Sequence, residues 1–103
     1  MSRVFKALSD PTRREVLLLL RAGPKSAGEL AAHFEVSKPT MSAHFNVLRD
    51  ADLIGSTKHG TSVLYALKLS VLEESLLGFA QVLGIGAGPS AAAAIEVSNK
   101  ETP

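Results

Sequence analysis

The sequence predicts a mainly α-helical fold with one small β-hairpin, and three observations predict it. Apolar residues recur at helical spacing in successive stretches up to Ala51 and again after Ser70. Serine or aspartate cap signals stand in front of most of those stretches. After Leu53 the period switches to two, around Gly60.

Taken in order, Val4-Phe5-Lys6-Ala7-Leu8 has helical spacing of Val4, Phe5 and Leu8 and stops at Ser9-Asp10-Pro11. Asp10 caps a second helix whose first residue is Pro11, where a missing N–H costs nothing. That helix is expected to reach about Arg21 with Val16, Leu17 and Leu20 on one face. Leu18 and Leu19 widen the stripe, which predicts burial on most sides. Gly23-Pro24 ends it. Ser26-Ala27-Gly28-Glu29 reads as a capping box that opens a short helix to about Phe34, with Leu30, Ala31 and Phe34 inward. Ser37 caps the next helix, which carries Met41, Phe45 and Leu48 at i, i+4 and i+7 and lasts until about Ala51. Two short helices joined by so few residues make a helix-turn-helix. Ile54-Gly55-Ser56-Thr57-Lys58 and Ser62-Val63-Leu64-Tyr65-Ala66-Leu67 flank His59-Gly60-Thr61 as a hairpin, which must lean on the helices because two strands alone are marginal. Ser70-Val71-Leu72-Glu73 reads as another capping box, and its helix runs to Gly84. The expected organisation is one domain over 1–84 and a flexible tail over 85–103, rich in Ala, Gly, Ser and Pro.

Composition narrows the function classes. A chain of 103 residues has room for one core. Residues 1–68 hold ten Lys and Arg against six Asp and Glu, whereas 69–103 hold one Lys against four Glu. The front can therefore face a polyanion while the back does something else. Aromatic residues are too few for a single-strand stacking platform. There is no Cys, which removes disulfides, thiolate metal sites and thiol catalysis together. No nucleophile–base pair, phosphate loop or paired carboxylates can be assembled, so no enzyme is expected. No apolar run is long enough to cross a bilayer, Leu17 to Leu20 being only a short one between Arg14 and Arg21, and Met1-Ser2-Arg3-Val4 lacks a signal-peptide core; a cytoplasmic location is expected.

The order helix, helix, helix-turn-helix, hairpin, helix is that of a winged helix-turn-helix. Val4-Phe5-Lys6-Ala7-Leu8-Ser9-Asp10-Pro11-Thr12-Arg13-Arg14 closely resembles the opening of ArsR-type repressors. Val36-Ser37-Lys38-Pro39-Thr40-Met41-Ser42-Ala43-His44-Phe45-Asn46-Val47-Leu48 resembles their recognition helix, and Leu64-Tyr65-Ala66-Leu67 fits the end of their wing. The resemblance covers roughly residues 3–84. Within that family the Lys38-Pro39 pair and the missing metal ligands are similar to the SdpR-like branch of autorepressors. The resemblance implies a homodimer on an inverted-repeat operator in double-stranded DNA. Metal sensors of the family place Cys where this chain has Glu29-Leu30-Ala31-Ala32-His33, and Asp/His sets where it has Glu73 and Glu74. No metal and no cofactor are therefore expected; His33, His44 and His59 are too scattered for a cage.

Helical geometry points the same way. With Met41, Phe45 and Leu48 turned inward, the opposite face carries Pro39, Ser42, Ala43 and Asn46, with Lys38 and Thr40 at the leading turn. Small polar residues there suit a helix that approaches base edges in the major groove. The expected DNA-binding residues are Ser37, Lys38, Thr40, Ser42, Ala43, His44, Asn46 and Arg49, with Lys58 and His59 at the hairpin tip. Arg13 and Arg14 are structural, close to DNA, or simply solvated. The last helix is apolar around most of its circumference, so Leu72, Leu76, Phe79 and Leu83 are expected to meet a twofold partner, joined by Val4, Phe5 and Leu8. Two other readings stand beside this one: a winged helix used for protein–protein contact, and a repressor gated by a small apolar ligand or a sequestering protein.

Overall fold

The structure is a computed structural model that describes residues 2–85. The expected tail lies almost wholly outside the described residues. Helices α1 (Ser2–Leu8) and α2 (Pro11–Arg21) come first, followed by strand β1 (Lys25–Ser26) and helices α3 (Ala27–Ala31) and α4 (Lys38–Asp50). Strands β2 (Ile54–His59) and β3 (Ser62–Leu67) form the hairpin, and α5 (Leu69–Val82) closes the order. The described residues fall into two compact units that part between Val71 and Leu72.

Local chemistry sets most boundaries. Asp10 accepts the amides of Thr12 and Arg13 at 2.8 and 3.2 Å, and Pro11 follows as the first helical residue of α2. Ser26 and Glu29 exchange the two bonds of a capping box, at 2.9 and 3.1 Å. Donation from the Ser26 amide, helped by the nearby Ser26 hydroxyl, holds the Glu29 carboxyl below its ordinary range. Ser37 caps α4 by accepting the Thr40 amide at 3.3 Å. At its far end α4 closes in a Schellman turn. Leu53 N–H donates to the Leu48 carbonyl and Asp52 N–H to that of Arg49, with Asp52 at φ 61° where glycine is commoner. Leu48 and Leu53, the apolar pair of that turn, are both fully buried.

Three expectations need correction. Helix α3 stops at Ala31 and continues only as a turn, His33 N–H to Leu30 and Phe34 N–H to Ala31. Helix α5 opens at Leu69, with Val71 N–H donating to the Lys68 carbonyl, so Ser70 sits inside the first turn instead of capping it. Leu18 is 61% exposed, so α2 buries Val16, Leu17 and Leu20 along a single stripe and is not covered on most sides.

The hairpin has more support than two strands. Residues Lys25 and Ser26 pair antiparallel with Tyr65 and Leu64, giving a three-stranded sheet in the order β1-β3-β2. The hairpin runs in register from Ile54–Leu67 to His59–Ser62, and its two-residue loop has Gly60 at φ 62°, a conformation that favours glycine.

In the first unit, α1 packs on both α2 and α4, α2 packs on β3, and α4 packs on β2. The core gathers Val16, Leu20, Leu30, Met41, Leu48 and Leu53, and the Phe45 ring of α4 lies 4.7 Å from that of Tyr65 in β3. The sheet and α4 thus share one apolar seam. In the second unit no residue of α5 is buried, and Gly84 at φ 73° ends the helix in a second Schellman turn. No helix among the described residues is long and apolar enough to cross a membrane.

Candidate nucleic-acid interface

Helix α4 carries the site because its burial is one-sided. Met41, Phe45 and Leu48 are 1%, 4% and 0% exposed, while Lys38, Pro39, Thr40, Ser42, Ala43, Asn46 and Arg49 all face solvent. Ser37 and Thr40 are tied by a 2.9 Å hydroxyl–hydroxyl bond at the leading end, the positive end of the helix dipole. Further along, Arg49 donates to Asn46 Oδ1 at 3.2 Å. That bond orients the amide and leaves Oδ1 a second lone pair and both N–H donors for a base edge. Lys58 and His59 are exposed at the end of β2 beside the hairpin loop.

His44 behaves differently from its neighbours. Its side chain is 15% exposed, and its Nδ1 lies 3.1 Å from an Arg13 guanidinium nitrogen and 4.0 Å from an Asp10 oxygen. Arg13 also donates to the carbonyls of Lys6 (2.9 Å) and Ala7 (2.9 Å), and Arg14 donates to that of Leu8 (2.8 Å). Both arginines thus cap the C-terminal end of α1, where carbonyls lack helical partners and a cation is favoured. Sequence reasoning left their role open between three readings; the structure shows them as clamps. The available signal was Arg placed three and four residues after a cap that abuts a preceding helix end.

Burial raises the Asp10 carboxyl, but the bonds from the Arg13 and Thr12 amides, with the Arg13 charge beside them, outweigh it and hold the group below its ordinary value of 3.8. Stability tied to Asp10 is therefore full above that ordinary value and is lost as the pH falls through the lower one. Asp10→Ala is expected to destabilise the protein by about 1 kcal/mol at neutral pH, the usual worth of a helix cap. Urea unfolding checks this, and the gap between variant and wild type should close in strong acid.

Other candidates are placed as follows. Leu76 and Phe79 of α5 and Leu83 just after it are 45%, 38% and 58% exposed, and Leu72, Phe5 and Leu8 are half-buried. Val4 differs: at 5% exposure its side chain belongs to this chain's own core. Between α3 and α4 a cleft of about 260 Å³ is lined by Ala27, Gly28 and Ala31 on one wall and Lys38 and Ser42 on the other. Among the described residues no three His, Cys, Asp or Glu side chains gather where a metal could be held.

Comparison with known proteins decides the family. A helix-turn-helix domain family matches residues 8–56. The transcriptional repressor SdpR of Bacillus subtilis is 46% identical over 76 residues, which is 74% of this chain and 84% of that protein. The chain belongs to the ArsR family of winged helix-turn-helix transcriptional repressors. The arsenical resistance operon repressor of Staphylococcus xylosus is 40% identical over 71% of this chain and 70% of its own length. An ArsR-like transcriptional regulator from Rhodococcus superimposes with a TM-score of 0.69 at 32% identity, covering 81% of this chain and 77% of that one. As an ArsR-family member the chain is a DNA-binding transcriptional repressor and not an enzyme. The mainly helical fold with its β-hairpin wing, expected from sequence, is the family fold.

Proposed function

We propose that this chain is an autorepressor that binds an inverted-repeat operator as a homodimer, reads bases with α4, grips the backbone with the wing and does not sense metal. The observation that carries the reading is the division of α4 into a buried Met41, Phe45, Leu48 side and an exposed side bearing Lys38, Ser42, Asn46 and Arg49. A helix anchored in the core on one side can present the other to the major groove without deforming. Lys58 and His59 then meet phosphate or the minor groove, and the exposed apolar residues of α5 meet the twofold partner. With no Cys in the sequence and no gathered ligand set among the described residues, the donor chemistry does not suit zinc or arsenic.

Footprinting of the purified protein on the region upstream of its own gene tests the proposal. Protection of two related half-sites in inverted orientation is expected, unchanged by chelator or by added zinc. Binding to a selected duplex without any protection upstream of its own gene would remove autorepression. Release by near-stoichiometric zinc would remove the metal-independent reading.

A further inference from the structure

The contacts around His44 join three helices at one ring nitrogen. Arg13 reaches from α2 to the last carbonyls of α1, Lys6 and Ala7, and to His44 Nδ1 on α4. A guanidinium can only donate, so Nδ1 must accept, which requires the neutral imidazole with its proton on Nε2. We propose that Arg13 is a positioning residue for the DNA-reading helix, acting through neutral His44, so that protonating His44 loosens α4 and lowers sequence-specific DNA binding. The inference rests on α4 being the reading helix.

The chemistry is a direct substitution of repulsion for a bond. Protonated Nδ1 becomes a donor facing a donor, and two cations stand 3.1 Å apart. The nearest compensating charge, the Asp10 carboxylate, is 4.0 Å from Nδ1 and already accepts two amides. Turning toward Asp10 would take the ring off Arg13. The other charged groups on the elements packed against α4 are Arg14 and the exposed Glu15 of α2 beside Arg13, Arg3 and Lys6 of α1, which line a cleft with Val47 and Asp50 of α4, and Lys58 and His59 of β2 at the exposed hairpin tip. His44 lies between Ala43 and Asn46 on one helix, so a shift of the ring moves exposed reading residues.

The test measures the affinity ratio between a duplex selected from a random-sequence pool and its scrambled counterpart, from about pH 8 to about pH 5, where imidazoles ordinarily change charge. The ratio cancels any change with pH that affects binding to both duplexes alike. Wild type is expected to lose about tenfold or more in the ratio toward acid, the effect of one charged hydrogen bond. His44→Asn can accept from Arg13 without titrating, so its ratio should stay flat; His44→Gln serves if the Asn variant fails to fold. Arg13→Gln should have a low ratio at every pH. Circular dichroism at each pH reports whether the fold persists. A wild-type ratio that stays flat, or that falls equally in His44→Asn, overturns the inference. Loss of the wild-type ratio through global unfolding overturns it as well. A separate arm with Asn46→Ala distinguishes failure of the underlying reading: if that variant keeps the full ratio at about pH 8, α4 is not the reader.

Discussion

Replacing Leu76 with Glu is expected to convert the proposed dimer to a monomer at micromolar concentration and to lower operator affinity by about a hundredfold or more. Helix α5 holds no buried residue, and Leu76, Leu77, Val82 and Leu83 are 45%, 47%, 76% and 58% exposed. Apolar surface left in water costs roughly 25 cal/mol per Å², so a helix end with this many exposed apolar side chains favours a covering surface. A twofold partner supplies one, and the same substitution then appears twice across the axis. Each carboxylate would be buried without a cation, at a cost of several kcal/mol. Loss of the dimer also removes the advantage of engaging two half-sites at once. Sedimentation checks the first effect and DNA titration the second. A wild-type monomer, or a Leu76→Glu variant that stays dimeric, would contradict the proposed assembly.

Asn46→Ala is expected to cost about 1–3 kcal/mol per half-site on a selected duplex and little on a scrambled one. In a dimer with independent half-sites the total is about 2–6 kcal/mol. The amide owes its orientation to Arg49, whose donation at 3.2 Å leaves the donors of Asn46 open for an adenine edge. Lys58→Ala should behave differently, because an exposed lysine at the wing tip meets phosphate. It should weaken both duplexes alike and reduce the salt slope by about one per contact. Affinity measured for both variants across a salt series separates the two roles. Proportionate losses on both duplexes for Asn46→Ala would remove its base-reading role.

Much of this architecture was written in short-range signals. Asp10-Pro11, Ser26 with Glu29, and Ser37 each name a helix start, because a cap bond needs only residues within three positions. Spacing in Met41, Phe45 and Leu48 gave the inward side of α4 and, by exclusion, its exposed side. The misreadings have physical reasons. Strand β1 has two residues, too few for alternation to show, and it exists only because β3 lies beside it. Four consecutive leucines carry no period of their own, yet Leu18 has Arg14 and Arg21 four before and three after it, a polar surround that marks the solvent side. A serine followed by glutamate three residues on can also fall inside a helix, as Ser70 does once the Lys68 carbonyl starts the turn earlier. The clamp from Arg13 to His44 spans residues far apart in sequence, which periodicity cannot report. Val4, expected against a twofold partner, is covered by this chain's own core, because a seven-residue helix gives no view of which neighbours will cover it.

The central claim, that the exposed face of α4 lies in the major groove of DNA, can be tested through a property of the sequence itself. The chain has no cysteine, so Ser42→Cys introduces a unique thiol on that face for attachment of a DNA-cleaving reagent. The conjugate, bound to a selected duplex, should cut from the major groove at two positions related by twofold symmetry, about 34–36 Å apart or a multiple of that. The same reagent on Leu18→Cys of α2 should cut weakly or without position. Equal cutting from both sites, or localised cutting from Leu18→Cys alone, would contradict the placement of α4 on DNA.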